Sequence, residues 1–428
     1  MKKRQALVGV AVTAGFLSVA AGQAPFSSGN LAVMQIGDGA AALTVGGAPL
    51  FVVEMNPSGA VVQSIAVPTT TSGANRGMVV RGTSTSIGHL IRSVDGQYLT
   101  FTGIEAPVGG TSPSATPAAT NPRIVARMNS QGVIDSSTAL EDAYNADDIR
   151  AAITTNGTDL WTVGTSGTFS SAGIRYTTLG STTSIQVSSG PPTNTRMLGI
   201  FGGQLYISSS SGSFLGVSTV GTGVPNTSGE LITLLPGFPT GGGTAVSSVY
   251  DFYFADANTL YCADDRTVAN GGGIQKWTYD SFLGMWLLDY TLSTDLGTEG
   301  CRGLVGRTTK GVTTLWATTG GSVANPNSVV RVVDNGALSP FTVLATAPAN
   351  THYRGIDFVP TGGGPVPCYP NCDGSTGSPL LTANDFQCFL NKYASGDTYA
   401  NCDGSTGNPL LTANDFQCFL NKYAGGCS

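Results

Sequence analysis

Charge is scarce in this sequence of 428 residues: Asp, Glu, Lys and Arg make up 11% of it and the formal net charge is −6. A chain with so few cations has no basic stripe to neutralise phosphates, which argues against nucleic acid and anionic membrane surfaces as partners. Histidine is scarcer still. With only His89 and His352, a histidine-rich metal centre is excluded. No G-x-S-x-G stretch with plausible partners stands out, so a serine-hydrolase elbow has no sequence support. Cysteine is nearly missing from the first 367 residues, which hold only Cys262 and Cys301 of the eight. Beyond the first 24 residues no apolar run is long enough to cross a bilayer, so no membrane span is expected.

What is present begins with Met1-Lys2-Lys3-Arg4-Gln5, an apolar run from Ala6 to about Ala20, and the small residues Ala21-Gly22-Gln23-Ala24. That order of basic, apolar and small residues predicts a secretory signal peptide over residues 1–24 and a secreted or cell-surface protein. Loss of Lys2, Lys3 and Arg4 would take the formal charge from −6 to −9.

The 59 glycines and 41% apolar residues point to β-structure joined by many turns rather than to disorder. Between residues 30 and 360 a pattern recurs in which a turn is followed by Leu and an aromatic or β-branched strand. Its instances are Gln97-Tyr98-Leu99, Asp159-Leu160-Trp161, Gln204-Leu205-Tyr206, Thr259-Leu260-Tyr261 and Thr314-Leu315-Trp316. The leucines are 61, 45, 55 and 55 residues apart, a period that fits one four-stranded sheet per repeat. Second hairpins at Asn56-Pro57-Ser58-Gly59, Asn129-Ser130-Gln131-Gly132 and Asp334-Asn335-Gly336 suit the outer strands of such sheets. Tyr353–Phe358 reads as a first strand without successors, and the segment from Asn30 to Val67 as a repeat without its first strand. Joining the two closes a ring. The expectation is an all-β propeller over residues 25–360 with six blades, or seven if the long segment 76–120 hides a sheet. A proline-bounded linker, 361–367, follows.

Aligning the repeats places one polar residue at the entry of each innermost strand: His89, Arg150, Arg196, Tyr250, Arg302 and Arg354. Four guanidiniums around one channel mouth suit a carboxylate, a sulfate or an acidic glycan. The alternative is that each Arg ties its blade to a neighbouring carboxylate such as Asp148, Asp251 or Asp357. Asp251, Asp264, Asp265 and Asp357 are also the carboxylates from which a glycoside-cleaving pair would be drawn. Cys262, on a second strand, and Cys301, at the start of the next first strand, are expected to form a disulfide between blades.

Residues 368–428 hold the other six cysteines and a duplication: Asn371–Tyr393 recurs as Asn401–Tyr423, with Ser378 to Asn408 as the only change. Each unit reads as a loop feeding a helix, capped by Thr382 or Asn384 and ended by Gly396, with Phe386, Phe389, Leu390 and Tyr393 on one face. Internal symmetry suggests the pairs Cys372–Cys388 and Cys402–Cys418, with Cys368 left to meet Cys427.

This loop-helix duplication resembles the dockerin family, specifically the modules that finish in Gly-Cys at the ends of secreted bacterial proteins. The resemblance implies Ca²⁺ in EF-hand-like loops, with Asn371, Asp373 and Asp385 as ligands in the first repeat and Asn401, Asp403 and Asp415 in the second. It also implies docking onto a cohesin-like protein or cell-surface component. The family's first ligand position holds Tyr369 or Tyr399 here, so few carboxylates are left for a tight site. The propeller portion looks similar to secreted propeller proteins that carry terminal docking or sorting modules. Together these imply a non-catalytic extracellular binding or scaffold protein. The alternative is a polysaccharide-active hydrolase or lyase with its site at the channel mouth.

Overall fold

The structure, a computed structural model, describes residues 24–188, 190–241, 247–361, 369–373, 375, 381–403 and 405–425. The signal-peptide expectation, Cys368 and Cys427 therefore lie outside the described residues.

Residues 30–358 form a six-bladed β-propeller in which every blade is a four-stranded antiparallel sheet. From the axis outward, blade 1 is His352–Phe358, Leu31–Ile36, Leu50–Met55 and Val61–Ala66. Blade 2 is Leu90–Arg92, Tyr98–Ile104, Arg123–Asn129 and Ile134–Leu140, and blade 3 is Ile149–Thr154, Asp159–Gly164, Arg175–Thr178 and Ile185–Gln186. Blade 4 is Thr195–Phe201, Gln204–Ser211, Phe214–Val220 and Ile232–Leu234, and blade 5 is Val249–Asp256, Thr259–Asp264, Gly273–Asp280 and Met285–Leu292. Blade 6 is Cys301–Thr309, Val312–Thr319, Ser328–Val333 and Thr342–Thr346. The repeated leucines sit on second strands, and the hairpins at Asn56–Gly59, Asn129–Gly132 and Asp334–Gly336 join third to fourth strands.

Blade 1 is built from both ends of this region. Leu31 pairs with Phe358 and Val33 with Ile356, antiparallel, so the last strand fills the position that the chain's beginning leaves open. Such closure covers the edge of Leu31–Ile36 that would otherwise be left unpaired and gives blade 1 the same four strands as the other five. The segment 76–120 does not hold a seventh blade. It carries a two-stranded ribbon, Gly47–Ala48 with Val80–Arg81, and loops pinned by the buried guanidinium of Arg123. That group donates to the carbonyls of Tyr144, Asn121, Ser114, Thr116 and Asp147.

Strand residues alternate between two faces, and each face is buried against the next blade. Each of the six blade interfaces consequently has its own apolar cluster. The same alternation corrects the expected bridge between blades. Cys262 and Cys301 are free, buried thiols. Cys301 packs with Tyr261 and Ala263 between blades 5 and 6, whereas Cys262, one residue from each on that strand, packs with Trp277, Trp286 and Phe238 towards blade 4.

The C-terminal module has two helices, α1 (Ala383–Ser395) and α2 (Ala413–Gly425), each preceded by its loop. Thr382 caps α1 in a reciprocal box with Asp385, and Gly396 ends it in the left-handed conformation at φ 74°. Disulfides Cys372–Cys388 and Cys402–Cys418 tie each loop to its own helix. Phe389 and Phe419 stack at 4.0 Å between ring centres in the middle of a small core of their own.

Candidate functional site at the propeller axis

The six ring positions do converge. His89 of blade 2 stacks on Tyr250 of blade 5, the blade opposite, with 4.8 Å between ring centres, so the pair spans the axis. Arg196 and Arg302, from the blades flanking Tyr250, lie over its ring at 5.0 and 5.1 Å. The Tyr250 hydroxyl donates to Ser86 O at 2.7 Å. His89, Tyr250, Arg150 and Arg354 are buried, His89 and Arg354 fully so, whereas Arg196 and Arg302 are half-buried.

One carboxylate serves two of the four guanidiniums: Asp265 meets Arg302 at 2.7 Å and Arg196 at 3.5 Å. Burial works against its charge, but these two cations and Ser248 hold its carboxyl below the usual range. The remaining partners are mainly main-chain. Arg150 donates to Asn194 Oδ1 at 2.6 Å and Thr195 O at 2.9 Å, Arg302 to Thr85 O at 2.6 Å, and Arg354 to Gly82 O at 3.0 Å. Gly82, Thr85 and Ser86 belong to the segment between blades 1 and 2, which thus lies over this end of the channel. Asp148 anchors that segment, meeting Arg81 at 3.2 Å and Ser84 Oγ at 3.1 Å. Burial first, and then Arg302, Arg354, Arg150 and Arg196, keep the His89 imidazole well below its ordinary pKa, so it is neutral.

The tie between ring and carboxylate is therefore made by Asp265, while Asp251 and Asp357 face elsewhere. Further along the same inner strands the channel widens into an open cup of about 260 Å³ walled by all six blades. Phe252, Tyr253, Phe358, Ile200 and Val305 supply its apolar wall. A second hollow of about 210 Å³ continues outward past Phe201 and Phe254. Asp251 and Asp357 line the cup, and neither forms an ion pair among the described residues. Asp251 accepts from Leu304 N at 2.9 Å and Phe252 N at 2.8 Å, and Asp357 from Arg92 N at 2.7 Å and Phe358 N at 2.6 Å. Each thereby bridges its inner strand to that of the next blade. Burial pushes Asp251 up to about 8, with a further push from Asp357, and pushes Asp357 itself up to about 6. Asp264 is committed to Arg266 through two contacts of 2.9 Å.

Sequence reasoning located the ring and both cup carboxylates but missed Asn194 and the 82–86 segment. That segment falls between repeats, where no periodic signal marks it.

In the C-terminal module, Asp385 is buried and accepts from Thr382 N at 2.7 Å and Asp373 N at 3.2 Å. Asp415 does the same with Thr412 N and Asp403 N. Asp373 and Asp403 accept from Ser375 N and Ser405 N, both at 2.8 Å. Asn371 and Asn401 donate to the carbonyls of Ser375 and Ser405, leaving their own Oδ1 atoms buried without a donor. Two carboxylates and one orphaned amide oxygen per loop are donors of the type a hard cation such as Ca²⁺ takes, but three side chains fall well short of its usual shell of about six to eight oxygens. Tyr369 and Tyr399 stack at 4.9 Å, and each hydroxyl donates to the other's carbonyl, so these positions join the two repeats.

No family model matches the chain, and no curated protein is similar to it. Among solved structures it is similar to a protein from Lactobacillus plantarum, at 10% identity and a TM-score of 0.34 over 74% of this chain and 82% of that one. A computationally designed protein, Ika8, is similar at 9% identity and a TM-score of 0.34 over 78% and 93%. A GH32 beta-fructofuranosidase from Bombyx mori is similar at 13% identity and a TM-score of 0.32 over 62% and 64%.

Proposed function

We propose that the chain is an exported, non-catalytic binding or scaffold protein. Its propeller offers the open cup as a recognition surface, and its C-terminal helix pair docks it to a cohesin-like protein or cell-surface component. The observation that carries this reading is the division of labour along the axis. Arginine side chains at one end are tied to Asp265, Asn194 and main-chain carbonyls of the blades and of the 82–86 segment, while the other end is a concave, aromatic-walled cup with a few polar groups. That combination is the usual make-up of a small-ligand site. Two disulfides in the terminal module support an oxidising compartment. Docking rests on the resemblance of residues 368–428 to dockerins.

The test is a glycan array probed with the full chain and with Phe252→Ala, read for both binding and product release. Retained glycans that Phe252→Ala no longer holds, with no product, support the proposal. Silence of the intact chain across neutral and acidic glycans overturns its carbohydrate form.

One observation favours a second reading, a hydrolase. Asp251 and Asp357 share the cup with unequal acidities, so near neutrality one is protonated and the other ionised, as an acid and base pair requires. Their commitment to main-chain N–H groups supports the binding reading instead. Product release lost in both Asp251→Asn and Asp357→Asn would reverse the order.

Calcium, if bound, would be held by Asn371, Asp373 and Asp385 and by their counterparts Asn401, Asp403 and Asp415, where it would brace the loops. Calorimetric titration of the full chain with Ca²⁺ checks this: two sites are expected, and one or both should be lost in Asn371→Ala with Asn401→Ala.

A further inference from the structure

The ring of arginines has a charge problem that its protein partners do not solve. Six guanidiniums, Arg81, Arg123, Arg150, Arg196, Arg302 and Arg354, stand within electrostatic reach of three carboxylates, Asp147, Asp148 and Asp265, which leaves three positive charges in excess. Arginine does not escape burial by losing its proton, and an uncompensated buried charge is costly. The hydrogen-bond inventory has the same gap in the same place. Nε and Nη1 of Arg354, Nε of Arg302, Nε of Arg150 and both ring nitrogens of His89 are buried and have no protein partner. These atoms come from blades 1, 6, 3 and 2, so they surround the axis rather than crowd one blade.

We infer that the propeller axis holds one small inorganic anion of halide size, bound by the unpartnered donors of Arg354, Arg302, Arg150 and His89. Size is set by the surroundings. Main-chain carbonyls of Gly82, Thr85 and Ser86 accept from Arg354, Arg302 and Tyr250 over the ring, and the stacked His89 and Tyr250 span the axis, which favours a small ion over a glycan or an organic acid. The anion supplies a negative charge that no side chain provides, and it takes N–H donors from four blades at once. It thereby acts as an axial pin. This site is distinct from the cup, so its failure would leave the binding proposal unaffected.

Thermal and urea unfolding of the full chain at constant ionic strength, with chloride or bromide exchanged for gluconate, reads the linkage. One bound anion released on unfolding makes the unfolding constant fall about tenfold for each tenfold rise in halide above saturation, with bromide replacing chloride. Arg354→Gln should flatten that dependence. Since this variant risks failing to fold, bromide-soaked crystals of the unaltered chain provide the deciding readout. An anomalous peak on the axis beside Arg354 Nη1 is the expected result. Equal stability in halide and gluconate, together with an axis lacking that peak, overturns the inference.

Discussion

Asp251 shows how far a single residue's surroundings dictate its chemistry. An ordinary Asp ionises near 4, but burial in the cup pushes this one up to about 8. At pH 4 and below, folded and unfolded chains both carry the proton. Between about 4 and 8 the unfolded chain releases it and the folded chain does not, so stability is full at the acid end and is lost as the pH rises. Asp357, pushed up to about 6, adds the same sign over the lower half of that window. The urea midpoint is therefore expected to fall between pH 4.5 and 8, and Asp251→Asn should remove most of the slope. A midpoint that rises over this range would contradict the assignment. At the same scale, Phe389 and Phe419 are fully buried and stacked. Phe389→Ala should cost the module about 3–5 kcal/mol, and a double-mutant cycle with Phe419→Ala should leave a coupling of about 0.5–1.5 kcal/mol.

Elements depend on how closely their neighbours approach. The closing strand His352–Phe358 reaches blade 2 through Gly355, whose N–H donates to Gly88 O at 3.2 Å. A Cβ on Gly355 would lie 2.4 Å from Leu90 N, inside main-chain atoms that cannot give way. Gly355→Val is expected to destabilise the propeller by about 3 kcal/mol or more, measured by urea unfolding, because overpacking here forces the first and second blades apart. Helix α1 offers a milder case. Thr382→Ala removes the cap over Asn384 N and should cost about 1 kcal/mol, seen as a lower melting point of the module alone.

For the whole molecule, ring closure makes the two ends of the propeller interdependent. A chain ending at residue 361 keeps the strand that completes blade 1 and should unfold cooperatively near the full chain's midpoint. One ending at residue 350 lacks it and exposes an inner edge, so it should aggregate or lose its transition; calorimetry distinguishes the two. An unchanged transition in the shorter chain would mean that closure contributes little.

Much of this was legible in order along the chain, because it arises from local periodicity. Leucines at Leu99, Leu160, Leu205, Leu260 and Leu315 marked second strands. The split repeat at the two ends marked closure, and the duplicated loop-helix units marked the pairings Cys372–Cys388 and Cys402–Cys418, since a repeat must place equivalent atoms equivalently. The ring from His89 to Arg354 was readable for the same reason. Tertiary structure alone decided three things. Cys262 and Cys301 remain thiols, because adjacent residues of one strand face different blades. Arg302 and Arg354 donate to the 82–86 segment, because a stretch outside the repeat lies over them. Asp251 and Asp357 became weak acids, because their acidity depends on burial, which is a property of six blades meeting at one axis rather than of any stretch of sequence.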